Sequence, residues 1–340
     1  MKGGYIVVAA HPTTSGLLLA NHIRGGAWRS TDNGLTWTLP EPMTVAPGQR
    51  AFKTPRACPK VFVTSEGKYL FWYHHHGGTS WSGRNPAFLS GGVLNAEGVI
   101  QWSEPELVLF DPNPAIRMSY PDLIEQEGRF WLTETQKTAA RVHALDRALL
   151  DGLWNQATAK GVCTNGLLLE KLDAGDTASR PTVPRGFGDL AHGGITVELW
   201  LSLRDAASGQ TLFTTMDDGG RGVRVVTSEM GGRPTLSIEL GDGARATVWH
   251  TDPGVVEAGK MHHVVFVCDF SAAVIAVVAD GQFCDGGAAR QYGWGRLPLE
   301  LGDVRGAPHA ALAPAVKGLR LYSRALRTTE AIGNFRAGGI

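Results

Sequence analysis

Short blocks of this chain return after 61 to 65 residues, and that period constrains the fold more than any composition figure does. Glu66-Gly67-Lys68-Tyr69-Leu70-Phe71-Trp72 returns as Glu127-Gly128-Arg129-Phe130-Trp131-Leu132, 61 positions on. Trp37-Thr38-Leu39-Pro40-Glu41 returns as Trp102-Ser103-Glu104-Pro105-Glu106, 65 positions on. Ahead of both, Gly4-Tyr5-Ile6-Val7-Val8 precedes the matching Gly67-Lys68-Tyr69-Leu70 run by 64 positions. Arg56, three residues before Pro59, is matched by Arg117, four before Pro121. Each block is short and several such strands fall within one period, so the repeated unit is a small β-sheet.

Within the first unit lies the octet Ser30-Thr31-Asp32-Asn33-Gly34-Leu35-Thr36-Trp37. Asn33-Gly34 is a tight-turn dipeptide, because both positions tolerate positive φ. Ser30 and Asp32 can bond the turn's own amides, and Trp37 is expected to pack back under the loop as a buried anchor. The octet, with Ser30, Asp32, Gly34 and Trp37 in register, resembles the Asp-box (bacterial neuraminidase repeat) of sialidase-type β-propellers. Residues 94–102 occupy the place of a second box, with Glu97-Gly98 near the turn, but its Asp is replaced and one extra residue precedes Trp102. The period then reads as about two and a half propeller blades within residues 1–155, starting just before the second strand of a blade. That arc is too short to close, and repeat arrays need neighbours to bury their faces. The expectation is a C-terminal piece of a longer protein or a truncated reading frame, with a smaller closed β arrangement as the alternative.

Composition agrees with β structure. Gly 44, Pro 18 and Trp 10 with only 19% charged residues describe a turn-rich chain, and 340 residues hold two domains. A formal net charge of zero gives no reason to expect a nucleic-acid or anionic-membrane partner. The longest apolar run, residues 272–279, falls far short of the ~20 a membrane helix needs. The start MKGGYIVVAAHPTTSG lacks the apolar stretch and small-residue cleavage site of a signal peptide. Cys58, Cys163, Cys268 and Cys284 show no C-x-x-C spacing. Cys268 and Cys284 flank one hairpin and can pair if the chain is exported; two small buried side chains is the preferred reading.

After Lys137 the pattern changes. Val142, Leu145, Leu149, Leu150 and Leu153 fall at helical spacing with Asp146 as a cap, predicting a helix over 146–153 that closes the first domain. The polar stretch 155–165 makes a boundary, so the domains read as 1–155 and 165–340. Beyond it, Ile195-Thr196-Val197-Glu198-Leu199-Trp200-Leu201, His262-His263-Val264-Val265-Phe266-Val267, and Val274 to Val278 before Asp280-Gly281 are strands between glycine-rich turns. The ending Lys317-Gly318-Leu319-Arg320-Leu321-Tyr322-Ser323-Arg324-Ala325-Leu326, then Glu330-Ala331-Ile332, completes a pattern that resembles the laminin-G-like family of concanavalin A-type jelly rolls. Met261 replaces the aromatic usual before His262. The fold class is therefore all-β: a partial sialidase-type propeller joined to a laminin-G-like sandwich.

The two resemblances imply candidate chemistry. In sialidases, arginines fork onto a substrate carboxylate, a Tyr activated by a Glu attacks the anomeric carbon, and an Asp acts as acid/base. On that pattern Arg56 and Arg117 are the anion-binding candidates, Tyr120 the nucleophile, Glu134 its base and Asp122 the acid/base. A Tyr120 ring merely packed on Pro121, and arginines merely paired with acids, are the competing readings. His74 and His76 of His74-His75-His76 are candidate substrate contacts, or a base in a propeller-type polysaccharide lyase. No acidic ligand stands at a recognisable spacing from them, so no metal site is assigned. In the second domain Tyr292, Trp294 and His250 are candidates for sugar stacking, with Gly293 and Gly295 suggesting an exposed loop for Trp294. Asp269, Asp280 and Asp303 are candidate calcium ligands by family resemblance, against a turn-forming role that is preferred; no other cofactor is expected.

These readings converge on a carbohydrate-active protein with a glycan or polysaccharide partner, placed by resemblance outside the cell or in the periplasm. The leading form is the C-terminal part of a sialidase-superfamily glycoside hydrolase with an appended glycan-binding domain, little or no turnover being expected from this chain alone. The alternatives are a non-catalytic glycan-binding or adhesion protein and a polysaccharide lyase.

Overall fold

Pairs of adjacent residues held at positive φ fold this chain back on itself. Glu127-Gly128 (51° and 71°), Gly231-Gly232 (58° and 74°) and Asp280-Gly281 (48° and 76°) each close a two-residue hairpin. That geometry matches the natural twist of paired strands, so the strands on either side leave in antiparallel register. The computed structural model describes residues 6–10, 12, 17–22, 26–46, 49–55, 57–78, 82–172 and 178–338. It divides into two units, Met1–Thr158 and Ala159–Ile340.

The first unit holds three antiparallel sheets. One runs Ile6–Ala10, Leu18–His22, Gly26–Ser30, Glu41–Pro42 in chain order. The next runs Lys60–Val63, Tyr69–Tyr73, Ala87–Leu94, Ile100–Trp102, with Glu106–Leu109 also paired to Ala87–Leu94. The third is Ser119–Gln126, Arg129–Gln136, Ala139–Leu145. The sequence match sets Tyr5-Ile6 beside Tyr69-Leu70, a second strand; Ile6–Ala10 is instead the first of four described strands. Alternating runs look alike whichever strand of a meander they form, so the repeat gives the period but not the phase.

Strand Tyr69–Tyr73 is buried along its whole length. Tyr69, Phe71 and Tyr73 pack with Phe52 and Trp102, while Leu70 and Trp72 join Phe130 and Leu132 of the third sheet. Helix α1 (Arg147–Asn155) closes that second cluster with Leu150, Leu153 and Trp154. Its N-cap is Asp146, whose carboxylate accepts from the Ala148 amide at 2.9 Å. The helix comes this close because Gly91 lacks a side chain: a Cβ there would sit 2.8 Å from Leu153. Val142 and Leu145 belong to the preceding strand, and Val142 is exposed; the 3.6-residue spacing ran across a strand–helix junction by coincidence.

The second unit is a two-sheet sandwich. One sheet has the order Leu167–Leu172, Val316–Tyr322, Gly194–Ser202, Met261–Asp269, Val274–Ala279, Gln282–Phe283, with Gly295–Arg296 also paired to Val274–Ala279. The facing sheet has the order Ala246–His250, Arg233–Asp242, Arg221–Met230, Thr211–Thr214, Ala311–Leu312. Alternate residues of both fill one core, including Ile195, Val197, Leu199, Val223, Val225, Ile238, Phe266 and Leu319. Helix α2 (Thr328–Ala337) lies on the outer face of the first of these sheets, where Ala331 and Ile332 meet Val265, Val278 and Tyr322. The four cysteines are free thiols, and Cys268 and Cys284 are both core side chains.

Candidate functional site

Around the octet the hydrogen bonds close on themselves. The Ser30 hydroxyl donates to Asp32 Oδ1 and accepts from the Gly34 amide, both at 2.8 Å. Asp32 accepts from the Thr36 amide at 2.9 Å and the Thr36 hydroxyl at 2.5 Å. Those donors, the Thr36 hydroxyl first, hold the Asp32 carboxyl down at about 2. Trp37 donates its indole N–H to the Gly34 carbonyl at 3.0 Å and packs its ring back against the turn at Gly34, but at 39% exposure it is not the buried anchor expected. In the degenerate second box Asn95 takes the carboxylate's place, accepting from the Val99 amide at 2.8 Å as Asp32 does from Thr36. All of this serves the turn, and none of it is aimed at a ligand.

At one end of the sheets the segments entering the second and third sheets come together. Arg84 Nη1 donates to the Ser119 hydroxyl at 2.7 Å, and Asn85 ties down residues 111–113 through its amide. The Arg117 amide donates to the Gln136 side chain, and Lys60 reaches the Pro121 carbonyl at 3.1 Å. Two prolines mark equivalent entries: Cys58 before Pro59 and Tyr120 before Pro121 both have left-handed φ, 54° and 50°. Proline crowds the residue ahead of it, so this conformation is costly and must be held by its surroundings. At Tyr120 the pairing register shifts between Ser119 and Asp122, and the ring is turned out, 62% exposed.

The three catalytic candidates lie on paired strands, the Tyr120 bulge opposite Glu134 and Asp122 opposite Thr133, but no hydrogen bond or ion pair joins their side chains among the described residues. Glu134 is fully buried, with Oε1 bonded to Arg141 at 2.7 Å and 3.4 Å from His143. No hydrogen bond joins Glu134 to Tyr120, and Glu134 Oε2 has no partner among the described residues. Asp122 pairs with Lys60 at 3.0 Å. Arg56 lies outside the described residues; Arg117 sits on the entry to the third sheet, half-buried. His74 and His76 are not substrate contacts, because the strand carries all three histidines into the interior, at 0–1% exposure. His74 Nδ1 donates to the Pro86 carbonyl at 2.9 Å, and burial pushes its pKa down to about 3. His76 accepts from the Gly78 amide and donates to the Gly83 carbonyl, and burial lowers it too. Alternation along an aromatic strand was a poor guide here, since both faces of that strand are covered.

The second unit holds two clusters. On the helix side of its larger sheet, Glu198 is fully buried and accepts from Tyr322 Oη (3.1 Å), Asn334 Nδ2 (2.7 Å), Arg320 Nη1 (3.2 Å) and His263 Nε2 (2.8 Å). Arg320 also reaches Glu170 at 2.6 Å and lies over the Trp200 ring. His262 bonds Asp280 at 2.7 Å, and Arg324 grips Glu330 with both nitrogens. The residues that carried the sequence resemblance are thus the struts of the fold. Asp269 caps a turn through the Ala272 amide, Asp280 holds His262 and the His263 amide, and Asp303 pairs with Arg305. The three calcium candidates are occupied separately, and among the described residues no cluster of three or more His, Cys, Asp or Glu is placed to hold a metal.

The other cluster surrounds residues 290–296. Trp294 is not an exposed loop aromatic but a buried one, at 4% exposure. Its glycine neighbours allow close approach: a Cβ on Gly295 would fall 2.5 Å from the Trp249 ring. Tyr292 meets Trp294 edge-on at 5.2 Å and remains half-buried. Arg296 lies over Trp294 and Arg290 over Trp249, at 5.0 and 4.6 Å. His250 is half-buried beside them, its carbonyl accepting from Arg290 at 2.7 Å and its ring 3.3 Å from the Ser228 hydroxyl. Sequence reading missed Trp249, Arg290 and Arg296. It also missed Arg84, Lys60 and Glu198; a lone carboxylate inside an otherwise apolar strand was the one available signal for the last.

Residues 175–331 match the family described as the Concanavalin A-like lectin/glucanases superfamily. The sheet order above gives the second unit the two-sheet jelly-roll fold of that superfamily. No curated protein matches the chain in sequence. Among solved structures, the sialidase carbohydrate-binding module CBM40 of Ruminococcus gnavus, bound to α2,3-sialyllactose, is 13% identical (49% of this chain, 98% of that one, TM-score 0.35). A leech intramolecular trans-sialidase is 15% identical (52% and 29%, TM-score 0.35). A heptameric pentraxin of Limulus polyphemus is 13% identical (42% and 70%, TM-score 0.32). At this level of likeness no ligand or activity passes from these proteins to this chain.

Proposed function

We propose that this chain is a non-catalytic glycan-binding protein, its jelly roll making the sugar contact and its first unit an arc of sialidase-type β-propeller. The observation that carries the binding reading is the Tyr292 loop. A half-buried phenol is held edge-on by a buried indole, with the Arg296 guanidinium over that indole. A rigid ring flanked by hydrogen-bond donors suits the apolar face and hydroxyl edge of a pyranose.

The propeller reading is supported by how the three meanders adjoin. Asn21 of the first sheet bonds the Pro59 carbonyl and the Val61 amide at the first strand of the second. Lys60 and Ser65 of the second bond Asp122 and Glu125 in the first strand of the third. Ile6–Ala10 itself adjoins Lys60–Val63, which in turn adjoins Ser119–Gln126, so first strands stand side by side, as around a propeller axis. The Asp-box bonds at Ser30, Asp32, Gly34 and Trp37 point the same way. Calcium has no place in this reading. The chain would act outside the cytoplasm, where glycans are displayed; no helix among the described residues is long and apolar enough to cross a membrane.

A hydrolytic role is the second reading, favoured by the exposed Tyr120 in its costly backbone conformation. It lacks an engaged base, since Glu134 faces Arg141 and His143. The two are separated by incubating the full chain with a fluorogenic sialoside and, in parallel, with a glycan array. Binding without turnover is the expected result. Robust hydrolysis that disappears in Tyr120→Phe would overturn the non-catalytic reading and restore the hydrolase.

A further inference from the structure

Between the first two sheets of the N-terminal unit lies a cleft of about 410 Å³. It is well away in sequence from the Tyr292 loop, and neither the Asp-box bonds nor the Tyr120 bulge uses it. Its walls include Trp28 and Arg29 of the third strand, Thr38, Glu41 and Thr44 after the Asp-box, and Trp102 from the second sheet. That volume falls within the roughly 300–1,000 Å³ of small-molecule sites, and Gly26–Ser30, which carries Trp28 and Arg29, is paired on both sides.

The chemistry of these walls is specific. Trp28 is a half-buried indole, while Trp102 is fixed in the aromatic core by Phe52, Phe71 and Tyr69. Arg29 spends one guanidinium nitrogen on the Gly98 carbonyl, which locks the side chain across the cleft and leaves its other N–H groups as donors. The Thr38 hydroxyl accepts from the Arg29 amide at 3.0 Å, keeping its own proton to donate. The Thr44 hydroxyl donates to the Ala46 carbonyl at 2.8 Å, keeping its lone pairs to accept. Glu41 is exposed and has no ion pair or hydrogen bond among the described residues. A cleft with an indole platform, fixed donors and free acceptors is matched by a ring that is apolar on its faces and hydroxylated at its edge.

From this arrangement we propose that the cleft is a carbohydrate subsite for a neutral pyranoside, with Trp28 as the stacking platform and Glu41 as acceptor for a pair of hydroxyls. Glu41, exposed and without an ion pair among the described residues, repels an acidic sugar, so neutral sugars are preferred over sialylated ones. The site is independent of the Tyr292 loop and stands or falls without it.

The test is indole N–H NMR of the full chain, with the Trp28 signal assigned by Trp28→Phe. Lactose, maltose and N,N′-diacetylchitobiose serve as neutral sugars and 3′-sialyllactose as the acidic one. At least one neutral disaccharide should shift the Trp28 signal saturably, with a Kd of roughly millimolar order. Glu41→Gln, at an exposed position that leaves the fold intact, should weaken that binding about threefold or more by replacing a charge-assisted hydrogen bond with a neutral one. Tyr292→Ala should leave the Trp28 response unchanged. The proposal is overturned if no neutral sugar moves the Trp28 signal, if Glu41→Gln binds as tightly as the parent, or if 3′-sialyllactose binds there at least as tightly as lactose.

Discussion

His74 is the residue whose environment departs furthest from what its type suggests. A histidine triplet reads as a solvated or ligand-facing cluster; here all three rings are buried, His74 against Trp72 and His75 against Tyr73 and Phe88. The consequence is a dependence on acid. Burial holds the folded His74 pKa at about 3, below its ordinary 6.5. The unfolded chain therefore takes up a proton that the folded chain refuses. Stability from this group is intact above pH 6.5 and falls by about 1.4 kcal/mol per pH unit from there toward pH 3. His76 adds in the same direction. Urea unfolding of the chain at a series of pH values, followed by hydrogen exchange in Tyr69–Tyr73, should show this decline. His74→Gln should flatten it by roughly one proton, and an unchanged slope in that variant would contradict the assignment. Trp294 carries a related lesson. Glycines on both sides of an aromatic suggested exposure, yet Gly295 is what lets the Trp249 ring close over the strand. Small neighbours permit tight packing as readily as they permit a loop, and a sequence does not distinguish the two.

At the scale of elements, turns were legible and polar networks were not. Asn33-Gly34, Glu127-Gly128 and Asp280-Gly281 all close hairpins, because the φ values they tolerate are those a twisted strand pair requires. The α1 cap at Asp146 was equally readable. By contrast, nothing local told Glu198 which partners it would meet, since Arg320, His263, Tyr322 and Asn334 arrive from two other strands and helix α2. This network is what seats α2 on the sheet. Removing the carboxylate leaves Arg320 buried beside polar groups it was meant to balance. Glu198→Ala should therefore cost about 3–5 kcal/mol, measured by urea unfolding of the chain, with loss of exchange protection in Thr328–Ala337. Replacing Arg320 by Met in the same chain should recover part of that loss, because an apolar pair has no charge to strand. A Glu198→Ala chain as stable as the parent would remove the network from the account.

For the whole molecule, the period of 61 to 65 residues marked a series of small meanders in the first unit, and the strand pattern from Ile195 to Ile332 marked the sandwich of the second. The period did not fix where each meander starts, and Ile6–Ala10 proved to be a first strand. The candidate site was less legible still. Of the residues picked out for chemistry, Tyr120 stands exposed on a strained bulge, but Glu134 and Asp122 are each committed to a basic neighbour. Spacing places residues on strands, whereas charge pairing across strands decides which of them remain available. In the second unit, Tyr292 is half-buried, with the buried Trp294 edge-on to its ring. The central claim, that the jelly roll binds glycan through this loop, is met most directly by calorimetric titration of the full chain and its Tyr292→Ala variant with the strongest array ligand. A loss of at least about tenfold in affinity, with the thermal unfolding midpoint unchanged, is the predicted result. Equal affinity in the variant, or no glycan bound by the parent chain at all, would contradict it.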